Sequence, residues 1–183
     1  DGNAVAPVVR AGGSRRPATN VERVVARRLT KSKHEIPHFY LATAAEMTQV
    51  LELRRQLNDR NMGHRKLTVN HFILAAAAKA IAATPEVNLI WEDGSLITPG
   101  EVDVGIAVQT SRGLLSPVLR KADTFTLDGL AVATDELLDR AREGRLQASE
   151  LEGGIISISN VGMFGASFLL PIFVIAIILP YQG

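Results

Sequence analysis

The sequence has no cysteine. Disulfides, thiolate metal sites and a cysteine nucleophile are therefore excluded, and the chain suits a reducing compartment without requiring one. It also lacks charge of one sign. Twenty Lys and Arg stand against nineteen Asp and Glu, for a formal net charge of +1, so no overall field points to nucleic acid or to an acidic partner. No long hydrophobic run is present. The longest, residues 168–179, is interrupted by Pro171 and falls short of the roughly 20 residues a membrane helix needs; a buried strand, or a pair of them, is the better expectation. Residues 1–20 have charge and glycine but no apolar core of signal-peptide length. No Walker loop, G-x-G-x-x-G, H-E-x-x-H or G-x-S-x-G motif occurs, and no internal repeat of fixed period is visible.

What the chain does have is core-forming material. Of its 183 residues 46% are hydrophobic, enough for one ordinary domain and too many for bulk disorder. Residues 1–20, rich in Gly, Ala, Pro and Arg, read as a flexible arm or linker in which Arg15 and Arg16 are free to touch a partner. Residues 21–183 read as the folded domain.

Apolar residues at helical spacing predict a helix over 21–33, capped by Asn20 and stopped before Pro37. Residues 39–47 read as a strand, and 48–58 as a helix with Val50, Leu51, Leu53 and Leu57 inward. A loop over 61–66 precedes an alanine-rich helix over 71–83, capped by Thr68 or Asn70. Short strands over 87–91 and 95–97 flank the hairpin signal Asp93-Gly94. One strand is expected over 102–109 and another over 114–119. Thr126 or Asp128 opens a long helix closed by Gly144, a single helical turn follows over 147–151, and 155–160 alternates as a strand does. The all-apolar run 174–179 suits a central strand. Helices and strands thus alternate, as in a mixed α/β layer structure with helices covering a sheet.

Few residues announce chemistry. His34 and His38 are spaced for a metal pair on one helix, but Pro37 breaks that helix. His71 opens a helix among apolar residues and reads as a helix-terminal or core histidine. The segment GGIISISNVGMFG, residues 153–165, is the most unusual stretch. A strand ending in Ser159-Asn160 and running into Gly162 and Gly165 places hydroxyls where backbone can approach a ligand. A tight hairpin whose Ser and Asn satisfy their own turn is an equal alternative.

Read together, several segments resemble the catalytic domain of dihydrolipoyl acyltransferases, the inner core of 2-oxoacid dehydrogenase complexes. VERVVARRLTKSKHEIPH (21–38) resembles the family's opening helix, and Pro85-Glu86-Val87-Asn88 with Trp91 its P-x-V-N-x-x-W element. VGIAVQTSRGLLSPVLR (104–120) resembles its double-strand signature. Ala141 to Gly144 with Leu146 resembles the close of its long helix, and 153–165 its G-G-x-x-x-I-S-N-x-G-M-F-G segment, in a pyruvate-type version. The resemblance implies a chloramphenicol-acetyltransferase-like α/β fold, with a mixed sheet flanked by helices, assembled as a trimer or multiples of three with other dehydrogenase-complex subunits. No nucleic acid or membrane is implied, and the compartment is the cytoplasm or, in a eukaryote, the mitochondrial matrix. The substrates it implies are coenzyme A and a lipoyl arm. A histidine takes the proton of the incoming thiol, Ser159 matches the hydroxyl that donates to the tetrahedral oxyanion, and Arg54 matches an arginine near the CoA phosphates.

The sequence also departs from the family. The His-x-x-x-Asp-Gly motif that carries the family's base does not occur in these residues, and the final hairpin and helix are expected to be missing. Gln109 stands where many members have Asp, His71-Phe72 where many have Asp-Phe, and Ala75 where a Lys is usual. Of the four histidines, His38 is nearest in kind to a base, at a position the family does not use for chemistry. Two functions follow: an acyltransferase core passing an acyl group from a dihydrolipoyl arm to CoA, or a catalytically inactive assembly subunit of the same complex.

Overall fold

In the computed structural model, which describes residues 13–35, 40–60, 65–92, 95–162 and 175–177, threonine hydroxyls meet free backbone N–H groups at the starts of helices, satisfying donors that a helix cannot pair internally. The chain divides into two units, Asp1–Phe39 and Tyr40–Gly183. In the first lies α1 (Asn20–Glu35). Its cap is Thr19 and not Asn20: Glu22 N–H donates to Thr19 Oγ1 at 3.2 Å, and Glu22 Oε2 accepts from Thr19 N–H at 2.7 Å. Arg16 bonds the same carboxylate at 2.8 Å. Pro37, Ile36 and His38 lie outside the described residues.

The second unit opens with irregular chain over 40–47 instead of the expected strand. The aromatic start of that stretch favours extended backbone, but a strand persists only where a partner completes its hydrogen bonds. Helix α2 (Thr48–Arg60) follows, with no buried residue. Helix α3 (Val69–Ala83) is capped by Thr68, one of the two expected caps, and buries Leu74, Ala78 and Ile81 along one face. Residues 61–64 and Asp93-Gly94 lie outside the described residues, but β1 (Ile90–Glu92) and β2 (Ser95–Ile97) do pair antiparallel. Helix α4 (Leu127–Arg142) is capped by Thr126, whose Oγ1 accepts from Gly129 N–H at 3.2 Å. It closes at Gly144 (φ +70°), with Arg145 N–H bonded to Arg140 O at 2.8 Å and Gly144 N–H to Ala141 O at 3.2 Å.

The expected strand over 102–109 is in fact two. β3 (Val104–Ile106) lies between β6 (Val118–Leu119), antiparallel, and β7 (Ile156–Asn160), parallel. β4 (Val108–Thr110) turns away to pair with β5 (Gly113–Leu115) as a separate hairpin. The 114–119 strand is split in the same way at Ser116-Pro117, because a strand must break where its partner changes. β8 (Ile175–Ile177) adds to β7 in parallel, giving the order β6-β3-β7-β8 among the described residues. One face of this sheet meets the helices: Val104, Leu119 and Ile158 pack with Leu74, Ala78, Ile81, Leu130 and Leu137. Leu130, at 1% exposure, is among the most deeply buried side chains. No described helix is long and apolar enough to cross a membrane.

Candidate functional site

Alternation along β7 sorts its side chains between two faces. Ile156 and Ile158 turn to the helix-packed core, so Ser157 and Ser159 turn to the opposite face. There Ser157 Oγ and Ser116 Oγ lie 3.2 Å apart in a hydroxyl pair. Room for that pair comes from Gly105 on β3. A Cβ at this position would sit 2.5 Å from Ser157 Oγ and 2.8 Å from Ser116 Oγ, closer than side chains tolerate. One step along, the half-buried Ser159 stands opposite Ala176 of β8. Its hydroxyl makes no hydrogen bond to any described residue. The sheet therefore carries two serines that satisfy each other and one whose hydroxyl is available.

Asn160 ends the strand and is held from two directions. Its Nδ2 donates to Asn70 Oδ1 in the first turn of α3 at 2.7 Å, and its Oδ1 accepts from Gly162 N–H at 2.9 Å. The tight-hairpin reading of 153–165 is not met, because β7 pairs with β8 in parallel; Asn160 does bond its own chain at Gly162, while Ser159 has no hydrogen-bond partner among the described residues. Gly165 lies outside the described residues. The Gly153-Gly154 pair that precedes the strand is required by conformation, with φ at +77° and +75°.

His71 is buried, at 2% exposure, and both ring nitrogens are occupied. Nδ1 accepts from Thr68 N–H at 3.2 Å, and Nε2 faces Asp135 Oδ1 of α4 at 3.1 Å. The second carboxylate oxygen of Asp135 meets Arg65 at 3.2 Å. The expectation of a helix-terminal, core histidine is met in both respects.

Arg54, on α2, is partly buried rather than exposed, and its Nε is buried with no hydrogen-bond partner. Its neighbour Arg55 is committed, to Glu52 at 2.8 Å and Asp59 at 3.1 Å. The Arg55 hydrogen bond, helped by one from Gln56, holds the Glu52 carboxyl down to about 2. Arg54 makes no ion pair with a described residue, so its charge is available. No hydrogen bond joins Arg54 to Ser159 among the described residues. Gln109 is exposed on β4 and bonds Thr110 O at 3.3 Å; Ala75 packs against the core.

The residues that sequence reasoning left without a role here are Gly105, Ser116, Ser157, Asn70 and Asp135. The pattern ISISN put Ser157 and Ser159 on one face. Nothing in the sequence joined Ser157 to Ser116, 41 positions away, or His71 to Asp135, 64 positions away.

Residues 11–176 match the family of 2-oxoacid dehydrogenases acyltransferase (catalytic domain). The dihydrolipoyllysine-residue acetyltransferase component of the pyruvate dehydrogenase complex of Zymomonas mobilis is 45% identical over 148 residues, which are 80% of this chain and 34% of that protein. The chain spans about a third of that relative's length. Among solved structures, the dihydrolipoamide acetyltransferase of Azotobacter vinelandii, investigated for the role of a serine, a histidine and an asparagine in its catalytic mechanism, superposes with a TM-score of 0.83 at 31% identity, over 91% of this chain and 71% of that one. The cubic core of a pyruvate dehydrogenase multienzyme complex gives 0.82 at 31% identity, over 91% and 71%. The mixed α/β architecture is that of these acetyltransferase cores.

Proposed function

The chain belongs to the 2-oxoacid dehydrogenases acyltransferase (catalytic domain) family, and on that premise we propose that it forms the acyl-transfer core of a pyruvate-type dehydrogenase complex, with Ser159 as the oxyanion donor. In this reaction the sulfur of CoA attacks the thioester carbonyl of an acylated dihydrolipoyl arm and gives up its proton. The carbonyl oxygen becomes an oxyanion, and collapse expels the dihydrolipoyl sulfur, which takes a proton. A donor aimed at the oxyanion stabilises charge present only at the crest of the barrier. The observation that carries the reading is the half-buried Ser159 hydroxyl, without a hydrogen-bond partner among the described residues, near the carboxyl end of a strand that pairs in parallel on both sides, where ligands of open α/β sheets gather.

Arg54 suits the CoA phosphates, because among the described residues its charge has no ion-pair partner and its buried Nε no acceptor. No group of this chain is assigned as proton acceptor: of the two described imidazoles, His34 is exposed on α1 and His71 is closed in by Thr68 and Asp135. Assembly in threes is part of the proposal. It is supported by the likeness to a cubic core and by exposed Leu41, Leu96 and Leu114.

The test is acetyl transfer between acetyl-CoA and dihydrolipoamide by the assembled protein. Ser159→Ala is expected to lower kcat by about 100- to 1000-fold with KM little changed. Turnover that survives Ser159→Ala refutes the role given to the hydroxyl. Intact trimers without turnover would instead favour an inactive assembly subunit, and a monodisperse monomer in sedimentation would remove both readings.

A further inference from the structure

We propose that His71 is a positioning residue for the strand end that carries Ser159, acting through Asn70 and Asn160. The consequence at Ser159 rests on the acyl-transfer reading; the mechanical coupling does not.

At the third position of a helix, the side chain that reaches back to the cap's backbone N–H is ordinarily Glu or Gln. Here it is an imidazole: Thr68 N–H donates to His71 Nδ1 at 3.2 Å, and His71 N–H donates to Thr68 Oγ1 at 3.4 Å. Because Nδ1 accepts, the ring hydrogen lies on Nε2, which donates to Asp135 Oδ1 at 3.1 Å. A carboxylate at this position would offer no donor to Asp135 and would set like charges against each other. The histidine thus turns a local cap into a bond between helices, and Arg65 fixes the far side of Asp135 at 3.2 Å.

Asn70 is the next residue back in the same turn. Its Oδ1 accepts from Asn160 Nδ2 at 2.7 Å, and Asn160 Oδ1 in turn accepts from Gly162 N–H at 2.9 Å. One continuous path therefore runs from α4 through the first turn of α3 to the residue after Ser159. At 2% exposure, the His71 ring has no freedom to give up one partner without shifting the turn. Where the first turn of α3 sits decides where β7 ends.

The experiment is hydrogen exchange at the Gly162 amide in the assembled protein, compared at matched global stability with Leu137→Ala, a core change on α4. His71→Asn keeps an acceptor for Thr68 but cannot reach Asp135, and Asp135→Leu removes the acceptor from the other side. Both are expected to speed Gly162 exchange about tenfold or more beyond the Leu137→Ala control, the scale of one lost hydrogen bond to a charged group. Asp135→Asn keeps an oxygen for Nε2–H and is expected to stay within about twofold of the parent. The same series read by acetyl transfer should show kcat falling with KM for CoA unchanged in the first two, and restored in Asp135→Asn. Gly162 exchange that merely tracks global stability in both His71→Asn and Asp135→Leu overturns the proposal. A parent chain with no turnover counts against the acyl-transfer reading alone, because the exchange ratio decides the coupling without it.

Discussion

Helices α2 and α4 are both rich in charged residues but are held in different ways. No residue of α2 is buried, and it carries ion pairs within itself, such as Glu52–Arg55–Asp59. α4 buries Leu130, Ala131, Thr134, Leu137 and Ala141 and sends Asp135 across to His71. The two candidate site residues fall on opposite sides of this divide. Ser159 lies in a sheet locked against α3 and α4, so distant contacts decide its position. Arg54 rides on a helix positioned largely by its own turns and by the bonds of Asn58 to the backbone of Leu67, at 2.8 and 3.0 Å. The candidate hydroxyl is thus placed by contacts far along the chain, and the candidate cation by contacts close in sequence.

Two leucines sharpen that contrast most. Leu130→Ala, at a position 1% exposed, is expected to cost about 2–5 kcal/mol in denaturant unfolding. Leu53→Ala, at 47% exposure, should cost about 0.5 kcal/mol or less. If Leu53→Ala proves as costly as Leu130→Ala in the assembled protein, and only there, another copy covers α2 and the contrast ends on assembly. Next in size, Gly105→Ala drives a methyl into the Ser116–Ser157 hydroxyl pair and should cost about 1–3 kcal/mol. Adding Ser157→Ala should recover part of that loss; no recovery would mean that the backbone and not the hydroxyls sets the limit.

The smallest effect belongs to α2. Glu52 is held at about 2 against an ordinary value of 4.5, by Arg55 first and Gln56 second. A carboxyl lowered by folding stabilises fully above its ordinary value and loses that contribution as pH falls toward its folded value. The α2 pairs are therefore expected to fade between about pH 4.5 and 2, slightly, because they are exposed to solvent. An NMR titration of Glu52 with a midpoint near 4.5 would show that the pair does not hold in solution.

Much of the fold was legible in sequence where the signal was local. Thr68 and Thr126 announced their helices, Gly144 ended one, and the alternation of ISISN placed two serines together. The errors came where a partner far along the chain decides the outcome. Residues 40–47 look extended but find no ladder. The alternation over 102–109 runs on without a visible break, yet β3 pairs with β6 and β7 while β4 pairs with β5. The apolar run 168–179, expected to be a buried strand or a pair of them, lies outside the described residues except for 175–177, which form β8.

Caps, turns and hydrophobic period depend on neighbours a few positions away, so the sequence by itself determined the helices, the serine face of β7 and, through ordered motifs, the family. Only the tertiary structure decided that Ser157 is spent on Ser116, that Ser159 meets no partner among the described residues, and that His71 joins two helices. Those facts depend on which distant groups come within about 3 Å, and hydrogen bonding is too short-ranged and directional for any linear pattern to record it.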